Sequence, residues 1–453
     1  MESEMEVQAS QRRKATNPIA YPLGEFGLSI VGNVLGLLSL FFYTDVMGLS
    51  ASLASLARTI NGVWDGINDP IFGFLSDRNH HRWGRKPWLL VATPIFLFAN
   101  IFFWRPPAGL SQSELFSYYL TLLLLFETTA TIGWVNYNSL FPDLFRGEKQ
   151  RTRVNAIRKA IGGLALITGT AVAPMLYTNL GFAAMGVIFT GIAAVALIVF
   201  LIIVREERRT PEAGGTQNNE AESQSQTLNF VDSFKATLTN KPYLRYVVVY
   251  ALFVFAQMVL GAGIPFYTKY SLSLDDASTS LLFIAVFAIG LPAVFLWVWL
   301  QRKIGSRRAW IASLVLFMLG VIPFGFVTNL TQAMIAGALV GIGMNGNAVM
   351  GDVILGQIID RDAEKMGVRR EALFYSVLPV PARLSTVLSS LVFALLTPLF
   401  GYVSGEQPGA QPGIAFRYYM TIFPVLALLA AIFIARGYRE QHGEENQGLS
   451  DLK

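Results

Sequence analysis

The chain has 453 residues, 53% of them hydrophobic and 14% charged, with a mean hydropathy of +0.47. A soluble domain carries about 25% charged residues, so a soluble enzyme, a disordered chain and a nucleic-acid-binding domain are excluded. There is no cysteine, hence no disulfide, thiolate metal site or thiol nucleophile.

Met1–Thr16 is polar and mixed in charge and leads directly into a long apolar run, without the short apolar core and cleavage site of a signal peptide. Apolar runs then recur to the end of the chain, several reaching the ~20 residues that cross a bilayer. They predict twelve helices at 20–43, 51–75, 88–105, 113–141, 155–178, 182–204, 244–268, 277–300, 309–328, 331–352, 372–402 and 418–435. The expected organisation is an N-terminal segment 1–19, a six-helix bundle 20–204, a linker 205–243, a second bundle 244–435 and a tail 436–453. Gly214, Gly215 and a Gln/Asn/Glu/Ser-rich stretch give the linker its flexible composition.

Arg105, Lys269 and Arg417 alone fall on odd-numbered connections, and Arg58, Arg245 and Arg383 lie in or at the edge of spans. The rest of the 35 Lys and Arg residues sit in the N-terminus, the even-numbered connections and the C-terminus. Positive charge marks the cytoplasmic side, which places both termini and the linker there, in a multi-pass protein of the cell membrane. The net charge of +5 is therefore a topology signal and calls for no nucleic acid.

The halves echo each other. Arg82-Trp83-Gly84-Arg85-Lys86-Pro87-Trp88 follows helix two, and Lys303-Ile304-Gly305-Ser306-Arg307-Arg308-Ala309-Trp310 follows helix eight. Asp143 to Arg153 after helix four matches Asp360 to Arg370 after helix ten. Repeated halves are the architecture in which a midplane site opens alternately to either side.

Ionisable groups within spans cost at least ~2.5–3.5 kcal/mol each at the bilayer centre. Helix two carries Arg58, Asp65 and Asp69. The two acids, four residues apart, share a face at about 5–6 Å. Na⁺, Li⁺ or a proton would relieve their repulsion, with Asn68 adding a neutral oxygen. The competing reading is an internal ion pair of Arg58 with Asp65. Gly62 and Gly66 let another helix approach.

Helix four carries Glu127, Thr131 and Trp134 at helical spacing, and helix one carries Ser29 and Asn33 one turn apart. Thr131 offers a hydroxyl to a cation on helix two. Ser29, Asn33, Trp134, Glu127 and Arg58 are candidates for substrate contact, each competing with a packing role. Helix eleven is interrupted by Pro379 and Pro381, which suits a bending helix. Arg383 just beyond needs carboxylates, and Asp65 or Asp69 would supply them. Asp77, Arg78, Arg85 and Lys86 combine an acid at a helix end with a basic cluster, a pattern suited to a state-dependent lock between helices. No nucleophile–base pair lies at one depth, so no membrane enzyme is expected.

At these residues the chain resembles the glycoside–pentoside–hexuronide:cation symporters, the melibiose-permease-like branch of the major facilitator superfamily. The resemblance rests on Tyr43-Thr44-Asp45-Val46-Met47-Gly48-Leu49-Ser50, Trp64-Asp65-Gly66-Ile67-Asn68-Asp69-Pro70, Arg82 to Trp88, and Gly367 to Tyr375. It implies an all-α membrane protein of twelve helices in two pseudo-symmetric six-helix bundles. It also implies a cation site at Asp65, Asn68, Asp69 and Thr131, taking Na⁺, Li⁺ or H⁺. Arg383 keeps the charge of the lysine that many relatives carry on helix eleven.

The sugar-contacting acids of helices one and four are replaced by Ser29 and Trp134. Gly62 stands where an arginine is usual, with Arg58 one turn away. The implied activity is symport of a solute, a glycoside or other carbohydrate, by a monomer with no cofactor besides the coupling cation. The family also includes sodium-dependent lysophospholipid carriers, so a lysolipid or other amphiphile stays open as a substrate. A non-transporting membrane sensor is the remaining alternative.

Overall fold

The computed structural model describes residues 20–145, 148–204, 240–290, 292–366, 374, 377–405 and 407–438. The predicted N-terminal segment, nearly all of the linker, most of the Gly367 to Tyr375 motif and the end of the tail lie outside them.

Helix α1, Pro22–Phe41, ends in a π turn at Phe42–Val46; α2 is Ala51–Trp83, α3 Lys86–Phe103 and α4 Gln112–Leu144. Glu148–Ile203 is one helical run bent at Gly181, where φ is 84°, giving α5 before the bend and α6 after it. In the second half α7 is Lys241–Phe266 with a π turn at Tyr267–Ser271. Helix α8 is Asp276–Phe283 and, after an interruption, Ala293–Ile304; α9 is Ser306–Val321 and α10 Leu330–Met366. Helix α11 is Pro379–Ala394, continued by Leu396–Phe400, and α12 is Pro412–Arg436.

Ten stretches are long and apolar enough to cross a membrane. One of them, Arg153–Ile203, has 51 residues and makes two crossings, α5 and α6. The polar α2 is absent from those ten and completes the twelve among the described residues. Outward-facing Phe295 and Phe433 are 81% and 78% exposed; such a surface would aggregate in water and suits lipid.

Four helices depart from the sequence reading. Helices α2 and α10 run past their predicted ends at 75 and 352, because hydropathy marks the apolar stretch while the helix continues through polar residues beyond it. The predicted helix 277–300 is broken by a π turn at Ile284–Ala288. The predicted proline interruption inside 372–402 falls at the edge of the described residues: Phe374 and Val377 are helical, Leu378 is a turn, and α11 begins at Pro379 with both prolines in its first turn, where a missing amide donor breaks no hydrogen bond. A further break, not expected from the sequence, falls at Leu395.

The repeated loop motif has a backbone cause. Gly84 and Gly305 both take positive φ, 74° and 84°, where a side chain would be strained, and each turns the chain directly into the next helix. The π turns repeat as well. Tyr43 Oη donates to Phe103 O at 2.9 Å and Tyr267 Oη to Phe324 O at 2.6 Å. Thr44 and Thr268 donate to the carbonyls four residues back. Between the halves, α2 lies along α11, α5 along α8 and α1 against α7.

Candidate functional site

Helix α2 presents Asp65 and Asp69 toward α11. A Cβ on Gly62 would stand 2.9 Å from Val387 Cγ2, so this glycine allows the two helices to meet, whereas one on Gly66 would make ordinary contact with the Arg383 side chain at 3.7 Å. Arg383 Nε donates to Asp65 Oδ2 at 2.6 Å and its Nη2 to Asp65 Oδ1 at 3.2 Å. The same Nη2 donates to Asp69. One guanidinium from the second half thus holds both carboxylates of the first, using the fork geometry that arginine alone provides. Exposure of the three side chains is modest: 18% for Arg383, 23% for Asp65 and 38% for Asp69. Glu127 adds a third carboxyl, facing Asn61, Asp65 and Asp69, so the cluster holds more acid than Arg383 balances.

A neighbouring stripe of α2 faces α4. Trp64 Nε1 donates to Thr128 Oγ1 at 2.9 Å and Ser76 Oγ to Asn136 Oδ1 at 2.6 Å. Asn68 lies on this stripe between the two bonds, level with Thr131; both are buried. Neither amide atom of Asn68 has a hydrogen-bond partner, a costly state for a buried polar group and one that an oxygen-seeking ion would relieve. The four residues of the implied cation site therefore divide: Asp65 and Asp69 bind Arg383, while Asn68 and Thr131 lie in the α2–α4 seam.

Above the carboxylates a cavity of about 500 Å³ separates the halves. Asn33, Asn61, Glu127, Trp134 and Gln257 give it a polar wall, and Leu28, Leu35, Phe126 and Met258 an apolar one. Asp65, Arg58 and Arg383 border it too. Ser29 does not line it, although Asn33 one turn away does. Arg58 reaches α1, donating to Ser39 Oγ at 3.1 Å and Gly36 O at 3.4 Å; the expected alternative pairing with Asp65 is not formed. Trp134 is half-buried, edge-on to Tyr137. Glu25 binds Arg158 of α5 at 2.9 Å.

The end of the molecule bearing the odd-numbered connections is closed by a contact the sequence reading did not single out. Asp45 of the first π turn, its side chain fully buried, accepts from Lys269 Nζ and Tyr270 Oη of the second. Phe41 and Phe266 meet edge to face beside it, centroids 5.1 Å apart. The signal was present in the sequence: Phe42-Tyr43-Thr44-Asp45 and Phe266-Tyr267-Thr268-Lys269 repeat at a spacing of 224 residues, with opposite charges at the final position.

At the other end, Lys86 Nζ donates to Val204 O at 2.9 Å, tying α3 to α6 within one half. Arg78 is exposed, and the side chain of Asp77 lies outside the described residues. Pro379 and Pro381 stand in the first turn of α11, directly before Arg383.

Two helical bundles packed face to face, with a polar cavity and paired charges between them, define a membrane transporter of the major facilitator type. Residues 20–439 match the family described as MFS/sugar transport protein, and the chain belongs to that family. An isoprimeverose transporter of Lactiplantibacillus pentosus is 22% identical over 96% of this chain and 93% of its own. The sodium-dependent lysophosphatidylcholine symporter 1 of Gallus gallus is 22% identical over 98% and 91%. An uncharacterised symporter of Synechocystis is 24% identical over 95% of both chains. Among solved structures, a bacterial homologue of the human lysosomal transporter Spinster, inward-facing and unoccupied, superposes with a TM-score of 0.71 at 14% identity, covering 93% of this chain and 96% of that one. The chain is thus a multi-pass transporter whose relatives include cation-coupled symporters.

Proposed function

We propose that this protein couples entry of a monovalent cation to symport of a saccharide across the cell membrane, working as a monomer with both termini in the cytoplasm. The observation that carries this reading is Arg383 bridging Asp65 and Asp69 between the halves. By the distribution of basic residues, the end closed by Asp45 and Lys269 is extracellular, so the cavity is sealed from the outside in this state. Arg383 then acts as a tethered competitor for the cation. When the extracellular end opens and α11 leaves α2, the two carboxylates lose their guanidinium and take Na⁺, Li⁺ or a proton, with Asn68 and Thr131 offering oxygens. When the halves close again, Arg383 returns and the cation departs inward. Coupling follows because the cation binds one state better than the other.

Trp134 beside Asn33, Asn61, Glu127 and Gln257 supports a saccharide: an aromatic face for the ring's C–H groups and polar atoms for its hydroxyls. The apolar wall of Leu28, Leu35, Phe126 and Met258 supports a second reading, a lysolipid. Proteoliposomes loaded without substrate and offered isoprimeverose, D-xylose or lysophosphatidylcholine under Na⁺ or H⁺ gradients separate the two. Gradient-driven sugar uptake lost in Asp69→Asn is expected; uptake that persists unchanged in that variant refutes the cation mechanism.

A further inference from the structure

A second cavity, about 250 Å³, lies inside the second half between α7, α9 and α10. Tyr246, Tyr250, Gln257, Trp310, Asn347 and Asp352 line it. The ring of Tyr246 is nearly parallel to Tyr250 and to Trp310, at 16° and 28° with centroids 6.2 and 6.0 Å apart. Asn347 is only 4% exposed, and its Oδ1 has no hydrogen-bond partner. The cavity therefore joins flat aromatic faces to two acceptors, the Asn347 amide oxygen and the Asp352 carboxylate.

Its described lining includes the Asp352 carboxylate and no cationic side chain, which disfavours an anionic ligand. An unpaired acceptor asks for O–H or N–H donors, and aromatic faces suit polarised C–H groups. A neutral, polyhydroxylated ring brings both. Gln257 lines this cavity and the central one alike, which makes them neighbours along α7. Tyr246 and Trp310 stand near the first residues of α7 and α9, at the end bearing the even-numbered connections, so this cavity lies between the central one and that end. Lys159 of α5, from the other half, is the opposite charge that Asp352 faces.

We propose that this cavity is a second saccharide subsite, on the inward path from the central cavity. The proposal rests on the saccharide reading above. Gly351 borders the subsite: a Cβ there would sit 3.6 Å from Tyr246 Oη, ordinary contact, whereas the branched side chain of valine adds bulk beyond that contact.

The test is ligand-observed saturation-transfer NMR on the purified full-length chain, titrating isoprimeverose, D-xylose and methyl β-D-glucoside. Parent, Trp134→Ala, Gly351→Ala, Gly351→Val, Asn347→Leu and the Trp134→Ala/Gly351→Val double variant are compared, with thermal unfolding confirming that each is folded. A biphasic isotherm in the parent and in Gly351→Ala is expected. Gly351→Val and Asn347→Leu should each remove one phase, Trp134→Ala the other, and the double variant both. A single phase, lost in Trp134→Ala and untouched by Gly351→Val and Asn347→Leu, overturns the subsite and leaves the saccharide reading standing. Absence of binding by every sugar in the parent overturns both.

Discussion

Asp45 and Lys269 occupy equivalent places in the two halves, each the last residue of a repeated Phe-Tyr-Thr-X segment within a π turn region, yet they carry opposite charges and bind each other. Asp45 is the buried partner and Lys269 is 44% exposed, so losing Lys269 leaves a carboxylate in an apolar setting, while losing Asp45 returns an ammonium to water. Lys269→Gln is therefore the more disruptive change. With the proposed role of this pair as the extracellular latch, removing it by Asp45→Asn favours the outward-open state by about 1 kcal/mol, or roughly fivefold in population. The chain has no cysteine, so a single Gly36→Cys in the central cavity reports opening by maleimide labelling from outside. The charge swap Asp45→Lys with Lys269→Asp is expected to restore slow labelling.

Arg383 is the competitor in the proposed cycle, so its removal uncovers the cation site. Arg383→Gln is expected to lower thermal stability in choline buffer, by less than the ~3–5 kcal/mol typical of a fully buried pair because these groups are partly solvated. The variant should gain more from Na⁺ than the parent does, up to about 2.7 kcal/mol at a hundredfold excess over Kd. Arg383→Lys, with a point charge in place of a fork, is expected to fall between. Differential scanning fluorimetry across Na⁺, Li⁺ and pH checks this, and an identical Na⁺ response in parent and Arg383→Gln contradicts it.

Asn68 is buried without a partner, a state that costs about 1–3 kcal/mol. Asn68→Leu is expected to leave the protein as stable as the parent, or more so, in cation-free buffer, while abolishing stabilisation by Na⁺. The same titration reads both effects. A structural amide would instead lose stability without changing the Na⁺ response.

The approach of α2 to α11 depends on Gly62, whose added Cβ would press on Val387 at 2.9 Å, and valine has little rotamer freedom to yield. Gly62→Ala is expected to loosen this seam, raising Gly36→Cys labelling and lowering transport, and Val387→Ala should restore both. Failure of the second substitution to rescue would show that the backbone, rather than the contact, is at fault.

Much of the fold was legible because bilayer crossings announce themselves as apolar runs, and the bend at Gly181 falls between two predicted spans. The ends of α2 and α10 were not, since a helix needs no apolar residue to continue past the membrane. The Asp65–Asp69 face and its arginine were legible because charges within spans are few; that one guanidinium reaches both acids was not, since this depends on the register of α2 on α11. Ser29 and Asn33 look equivalent in sequence, and only the rotation of α1 separates them. The Asp45–Lys269 pair hid because each charge, taken alone, reads as an ordinary loop residue.

The polarity of α2 has a consequence for how the protein is made. Arg383 lies 318 residues after Asp65. At about 5–20 residues per second, the chain is extended for roughly a quarter of a minute to a minute before the guanidinium that pairs both acids exists. During that interval α2, the crossing too polar to count among the ten apolar ones, must enter the bilayer with its acids protonated, ion-bound or sheltered against α4. The ion supply at the membrane thus bears on the birth of this protein as well as on its later work.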